Sequence, residues 1–209
     1  MEAVIWGLDP GVGSIPFGFI SVGKEGPIAT FRGTQEPKGS VVEWLDDFDA
    51  FLEPCPIGPG NWHRGFGKVF GSLSIEMTDG TKSPLQPVLG SLAGLICHGH
   101  SLGAPLATYA ALQAKAPELV LFASPKAGDS DFAGACRLQW YGTPVVSYAN
   151  PNDAVPKVPI TADWPWKLED FQQVAPITEL QPTLVTPAIP ADWGSSHNLA
   201  NYLALLTAV

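Results

Sequence analysis

The 209-residue chain predicts an α/β fold, a mixed and mainly parallel central sheet with helices on its flanks. Two apolar runs, Leu119–Ala123 and Val145–Tyr148, lack alternation, the pattern of strands buried on both faces. An alanine-rich stretch of good helix formers, Leu102–Ala114, stops before Pro117 and lies between the run Leu95–Cys97 and the first of those strands. Strand, helix and strand in series bring parallel strands side by side. The length suits one hydrophobic core, so residues 1–209 read as a single domain.

From the amino end, Met1–Gly7 has no basic region and no long apolar run, so it does not read as a signal peptide. The chain is expected to be either intracellular or a processed secreted form. No stretch reaches the roughly 18 apolar residues that would span a membrane. Phe17–Val22 and Pro27–Arg32 are β-prone runs around Gly23-Lys24-Glu25-Gly26, a hairpin signal. The polar segment Gln35–Glu43 reads as a loop and Trp44–Leu52 as a strand, ended by Pro54, Pro56, Pro59 and Gly60. Phe66, Val69, Phe70 and Leu73 recur at helical steps, which predicts a helix over His63–Glu76, with a shorter one over Leu85–Leu92. Frequent prolines from Asn150 to Pro190 imply extended loops with one strand near Phe171–Thr178. Asn198–Ala208 closes the chain as an apolar helix.

Composition narrows the function. Eleven basic against twenty acidic residues give a net charge of −9, a field that repels phosphates and excludes nucleic acid as a partner. With 45% hydrophobic and 15% charged residues the chain folds on its own core. Three cysteines, Cys55, Cys97 and Cys136, leave at least one thiol unpaired in a monomer, so disulfides do not organise the fold.

Gly99-His100-Ser101-Leu102-Gly103 matches G-x-S-x-G, the strand-to-helix turn that projects a serine hydroxyl from the top of a sheet. Leu95–Cys97 before it and the helical run after it are the flanks that the turn requires. A serine hydroxyl is protonated at neutral pH and needs a base within hydrogen-bond reach. In folds with this turn the acid and then the histidine follow the serine; His63, His98 and His100 precede Ser101, which leaves His197, in the Gly194-Ser195-Ser196 turn. The third member is a carboxylate, with Asp129, Asp131, Asp153, Asp163, Asp170 and Asp192 available. Asp153 follows the strand Val145–Tyr148 in a loop at its carboxyl end, where α/β sites assemble. Asp129 follows Leu119–Ala123 similarly, and pattern alone leaves both open.

Several motifs occur together in order: Phe31-Arg32-Gly33-Thr34, Trp44-Leu45-Asp46-Asp47, His63-Arg64-Gly65-Phe66, the serine turn with Ala104, Ala123-Ser124-Pro125-Lys126-Ala127-Gly128-Asp129, Asn150-Pro151-Asn152-Asp153-Ala154-Val155-Pro156, and His197. In this series the chain resembles the class 3 (fungal, Rhizomucor-type) lipases, a family that includes feruloyl esterases, over roughly nine-tenths of its length. The resemblance implies an α/β-hydrolase-type fold. It also implies Ser101 as nucleophile, Asp153 as acid, His197 as base, and the N–H groups of Thr34 and Leu102 as oxyanion donors. Asp47 falls where the family supports the oxyanion residue, and His100 flanks the nucleophile. The expected substrate is a small-molecule or lipid ester, met through transient contact with a lipid interface and cleaved without cofactor or metal.

Two departures from the family shape further expectations. Only about 16 residues precede Phe17, so the N-terminus is shortened and part of the usual back cover is missing. The lid interval, Gln35–Glu43, carries Pro37 and Gly39 and is too short for a stable helix, which points to weak interfacial activation and to short-acyl or soluble esters. Trp44, Trp164, Trp166 and Trp193 are candidates for an acyl or aromatic pocket. Rival readings are a feruloyl-type aromatic esterase, a metal hydrolase using Cys97, His98 and His100, and a non-catalytic binding protein on the same scaffold.

Overall fold

The structure, a computed structural model, describes residues 2–9, 13–33, 49–159, 170–181 and 193–207. Strand β1 (Ala3–Asp9) opens the chain and escapes prediction because both its faces are apolar: Ala3 and Ile5 are buried, while Val4 and Leu8 are exposed. It pairs antiparallel with β2 (Gly13–Gly23), which turns into β3 (Gly26–Phe31) as the glycines predict. Gly26 has φ +122°, a backbone state that side chains resist. The expected strand Trp44–Leu52 lies mostly outside the described residues. Asp49 takes φ 45°, so extended backbone starts only at β4 (Leu52–Pro54), paired with β5 (Asn61–His63).

The helix expected over His63–Glu76 is shorter: α1 is Arg64–Ser72, capped by His63, whose Nδ1 accepts the Phe66 N–H. Leu73 turns extended and Ser74–Met77 becomes β6, since its backbone completes a ladder on the free edge of β1 and Ile75 enters the core. Then come β7 (Lys82–Pro84), α2 (Leu85–Leu89), β8 (Ile96–His100), α3 (Gly103–Ala114), β9 (Glu118–Phe122) and α4 (Ser130–Gln139). The chain finishes with β10 (Val145–Ala149), a 3-10 turn at Val155–Lys157, β11 (Ile177–Glu179), α5 (Trp193–His197) and α6 (Leu199–Thr207). Helix α4 was not anticipated; Gly134 interrupts its pattern, and the residue that caps it, Asp129, resembles a site carboxylate in sequence.

Among the described residues, nine strands form one mixed sheet in the order β11-β10-β9-β8-β3-β2-β1-β6-β7. The half from β3 to β11 is parallel and carries the serine turn; the half from β3 to β7 is antiparallel. Helix α3 packs on β3, β8 and β9 and is buried at every position from Gly103 to Leu112. It has no polar face, and its alanines let it lie close to the sheet. The opposite sheet face carries the in-register row Val4, Phe19, Thr30, His98 and Val120, with Val4 and Phe19 exposed. Near β9 and β10 that face is covered by α6, where Tyr202 and Leu205 pack on Ala123 and Leu180. Cys55, Cys97 and Cys136 are free thiols. No described helix is long and apolar enough to cross a membrane.

Candidate active site

Ser101 turns the chain from β8 into α3 with φ 56°, the left-handed region that β-carbons disfavour. Its N–H donates to Phe122 O at 3.0 Å and its carbonyl accepts the Ala104 N–H at 2.9 Å, so neighbours on both sides hold the strained residue. A β-carbon on Gly99 would stand 2.3 Å from Gly103 O, and one on Gly103 would stand 2.3 Å from Phe31 O. Both glycines are therefore required by the backbones of α3 and β3. Gly33, just past β3, lies against Ser101, where an added β-carbon would be 2.8 Å from Ser101 Cβ.

His197 arrives from the far end of the chain. Its Nε2 is 2.8 Å from Ser101 Oγ and its Nδ1 is 2.8 Å from Asp153 Oδ2. A carboxylate only accepts, so the proton sits on Nδ1 and Nε2 offers its lone pair to the serine hydroxyl. Gly194-Ser195-Ser196, read from sequence as a turn, belongs to α5, which ends at His197. Side chains grip the main chain of this segment: His100 Nε2–H donates to His197 O at 3.0 Å, Asn150 Nδ2–H to Ser196 O at 3.1 Å and Asn201 Nδ2–H to Ser195 O at 2.6 Å.

Asp153 is 1% exposed and fully engaged: Oδ1 accepts the Val155 N–H at 2.9 Å, while Oδ2 accepts both His197 and the Tyr202 hydroxyl, the latter at 2.7 Å. The alternative Asp129 serves elsewhere. Its carboxylate caps α4 through the Phe132 N–H and takes two bonds from Asn61. Burial alone would raise its pKa, but those N–H donors outweigh burial and hold it below the ordinary value. Asp131 lies in the first turn of α4, Asp170 pairs with Gln172, and Asp163 and Asp192 lie outside the described residues.

Burial, followed by the neighbouring His197, pushes the His100 pKa down to about 4; burial does the same to His63. Each imidazole is therefore neutral in the fold but takes a proton near 6.5 when unfolded. Stability is complete above about pH 6.5 and falls as the pH drops toward 4, because the unfolded chain then holds the extra protons. At about 1.36 kcal/mol per pH unit, the expected loss by pH 5 is roughly 2 kcal/mol per histidine. Urea midpoints at pH 7.5 and 5.0 measure it; equal midpoints would contradict the assignment.

Leu102, at the start of α3, has helical φ −49° and ψ −34°. Thr34, Asp47, the segment Gln35–Glu43, Trp44, Trp164 and Trp166 lie outside the described residues, as does the side chain of Trp193. The described Trp62 and Trp140 are packing residues, Trp62 tilted on Tyr109 and Trp140 donating to Ala116 O. Cys97 and His98 point to opposite faces of β8, and among the described residues no group of three or more His, Cys, Asp or Glu is arranged to hold a metal ion. Sequence reasoning missed Tyr202 and Asn150. The available signal was a polar-tipped aromatic inside an otherwise apolar final helix, and an asparagine opening the loop of Asp153.

The groups around Ser101 come from the carboxyl ends of neighbouring strands and from the segment before the last helix, the assembly that defines the α/β-hydrolase class. Within that class the chain belongs to the family lipase (class 3), whose model matches residues 28–162, nearly two thirds of its length. A curated relative, phospholipase A(1) DAD1, chloroplastic, of Arabidopsis thaliana, is 28% identical over 160 residues, covering 66% of this chain and 34% of that protein. The chain thus spans about a third of that relative's length. Among solved structures, the triacylglyceride lipase of Rhizomucor miehei superposes with a TM-score of 0.51 at 22% identity, covering 70% of this chain and 57% of that one. The Lip2 lipase of Yarrowia lipolytica gives 0.55 at 18% identity, with 86% and 65% covered. These likenesses are of fold.

Proposed function

We propose that the protein is a serine carboxylic-ester hydrolase, a lipase or esterase, in which Ser101 is the nucleophile, His197 the general base and Asp153 the carboxylate that orients it. The observation that carries this reading is the unbroken pair of 2.8 Å bonds from Ser101 Oγ through the His197 ring to Asp153. The serine oxygen attacks the ester carbonyl as its proton passes to His197 Nε2; the imidazolium then protonates the departing alkoxide, leaving an acyl-enzyme. Water enters, gives its proton to His197, and displaces the acyl group as a carboxylic acid while Ser101 recovers its hydrogen. The N–H groups of Leu102 and Thr34 receive the charge that develops on the carbonyl oxygen, and Asp47 supports Thr34. Residues 1–209 act as one domain, with no cofactor.

The substrates are acyl esters, lipids included, a reading supported by a phospholipase and triacylglyceride lipases among the similar proteins. Leu199 and Leu203, 48% and 61% exposed just after His197, provide an apolar face for brief contact with a lipid surface. With Pro37 and Gly39 in the lid interval, interfacial activation is weak and short or soluble esters are favoured. The test is hydrolysis of p-nitrophenyl butyrate and palmitate below and above the micellar concentration, together with fluorophosphonate labelling. Butyrate is expected to be the better substrate with no jump at the interface; a steep rise for palmitate on micelle formation would overturn the preference. Absence of labelling at Ser101 would overturn the chemistry and favour a binding protein.

A further inference from the structure

Tyr202 is fully buried on α6, its ring edge-on to both Phe122 and His100. Its oxygen accepts the Asn150 N–H at 3.0 Å and lies 2.7 Å from Asp153 Oδ2. A phenol has one proton to give; with the N–H of Asn150 on one side of the oxygen, that proton points to the carboxylate. Asp153 Oδ2 therefore receives two donors, the Tyr202 hydroxyl and His197 Nδ1–H, while Oδ1 is taken by Val155.

We propose that Tyr202 is a positioning residue of the triad: by sharing Oδ2 with the imidazole it fixes that oxygen in place and limits how strongly the carboxylate holds the proton on His197. The inference rests on the roles given above to Ser101, His197 and Asp153. A hydrogen bond to a carboxylate disperses its charge, so Asp153 stabilises the imidazolium less than a bare carboxylate would. The ionisable groups facing the imidazole are Asp153 from the loop after β10 and His100 from β8, with Tyr202 acting from α6 through Asp153. Burial, and then the adjacent carboxylate, keep the phenol protonated by raising its pKa, so the donor is present throughout the working range.

Tyr202→Phe keeps the ring and removes the proton. NMR titration of the His197 imidazole in the resting protein should move up by about half to one pH unit in the variant, and the acid limb of kcat/KM for a soluble p-nitrophenyl ester should move with it. At neutral pH kcat is expected to fall about 5- to 30-fold with KM changed less than about twofold. Placing 3-fluorotyrosine at position 202, which keeps the hydroxyl as a stronger donor, should shift both readouts to lower pH and decides the matter if the phenylalanine variant fails to fold. A titration unchanged in both variants, with activity falling only as the melting temperature falls, would overturn the proposal and leave Tyr202 as packing. The NMR measurement needs no turnover: if the wild-type protein hydrolyses no ester, the proposed activity fails while the role of Tyr202 is still decided.

Discussion

Ser101→Ala protein is expected to fold like the wild type, to lose at least about 10⁴-fold of its ester hydrolysis and to take up no fluorophosphonate. Alanine keeps the β-carbon and with it the left-handed backbone of the turn, whose N–H and carbonyl bonds to Phe122 and Ala104 do not involve the hydroxyl. Circular dichroism and thermal melting should therefore be unchanged while the attacking atom is gone. Residual hydrolysis above about 1% of wild type would place the nucleophile elsewhere.

Asp153→Asn is expected to lower kcat about 10⁴-fold with Ser101 still in place. Oδ1 is occupied by the Val155 N–H, so an amide here turns its NH₂ toward His197 and Tyr202, two donors facing a third. The imidazole escapes by moving its proton to Nε2, where it donates to Ser101 and no longer serves as a base. The unmatched donors should also cost roughly 1–3 kcal/mol of stability, read from urea unfolding. Asp129→Asn is the comparison: asparagine caps helices about as well as aspartate, and position 129 serves α4 and Asn61. Its activity per folded molecule should stay near wild type. The reverse result, with Asp129→Asn inactive and Asp153→Asn active, would exchange their roles.

Much of the fold is legible locally. The β2–β3 hairpin, α3 and the strands β9 and β10 lie where turn glycines, helix formers and unalternating apolar runs put them. The misses share a cause. At Ser74–Met77 a helical period is overridden by pairing with β1, which is itself hidden because Val4 and Leu8 leave it apolar on its exposed face. Helix α4 depends on a cap by Asp129, whose sequence context reads equally well as a strand-end carboxylate.

Alone, the sequence singled out Ser101 and His197 as the candidate nucleophile and base. The serine turn is written in five contiguous residues whose glycines the backbone demands, and chain order left a single histidine. Which carboxylate meets His197 was decided only by the tertiary structure, because Asp129 and Asp153 follow similar strands and differ in what surrounds them after folding. One meets the N–H groups of Phe132 and Asn61; the other meets an imidazole 44 residues away and a phenol 49 residues away. A hydrogen bond is directional and reaches about 3 Å, so which donor finds which oxygen is settled by packing across the sheet and not by any local pattern.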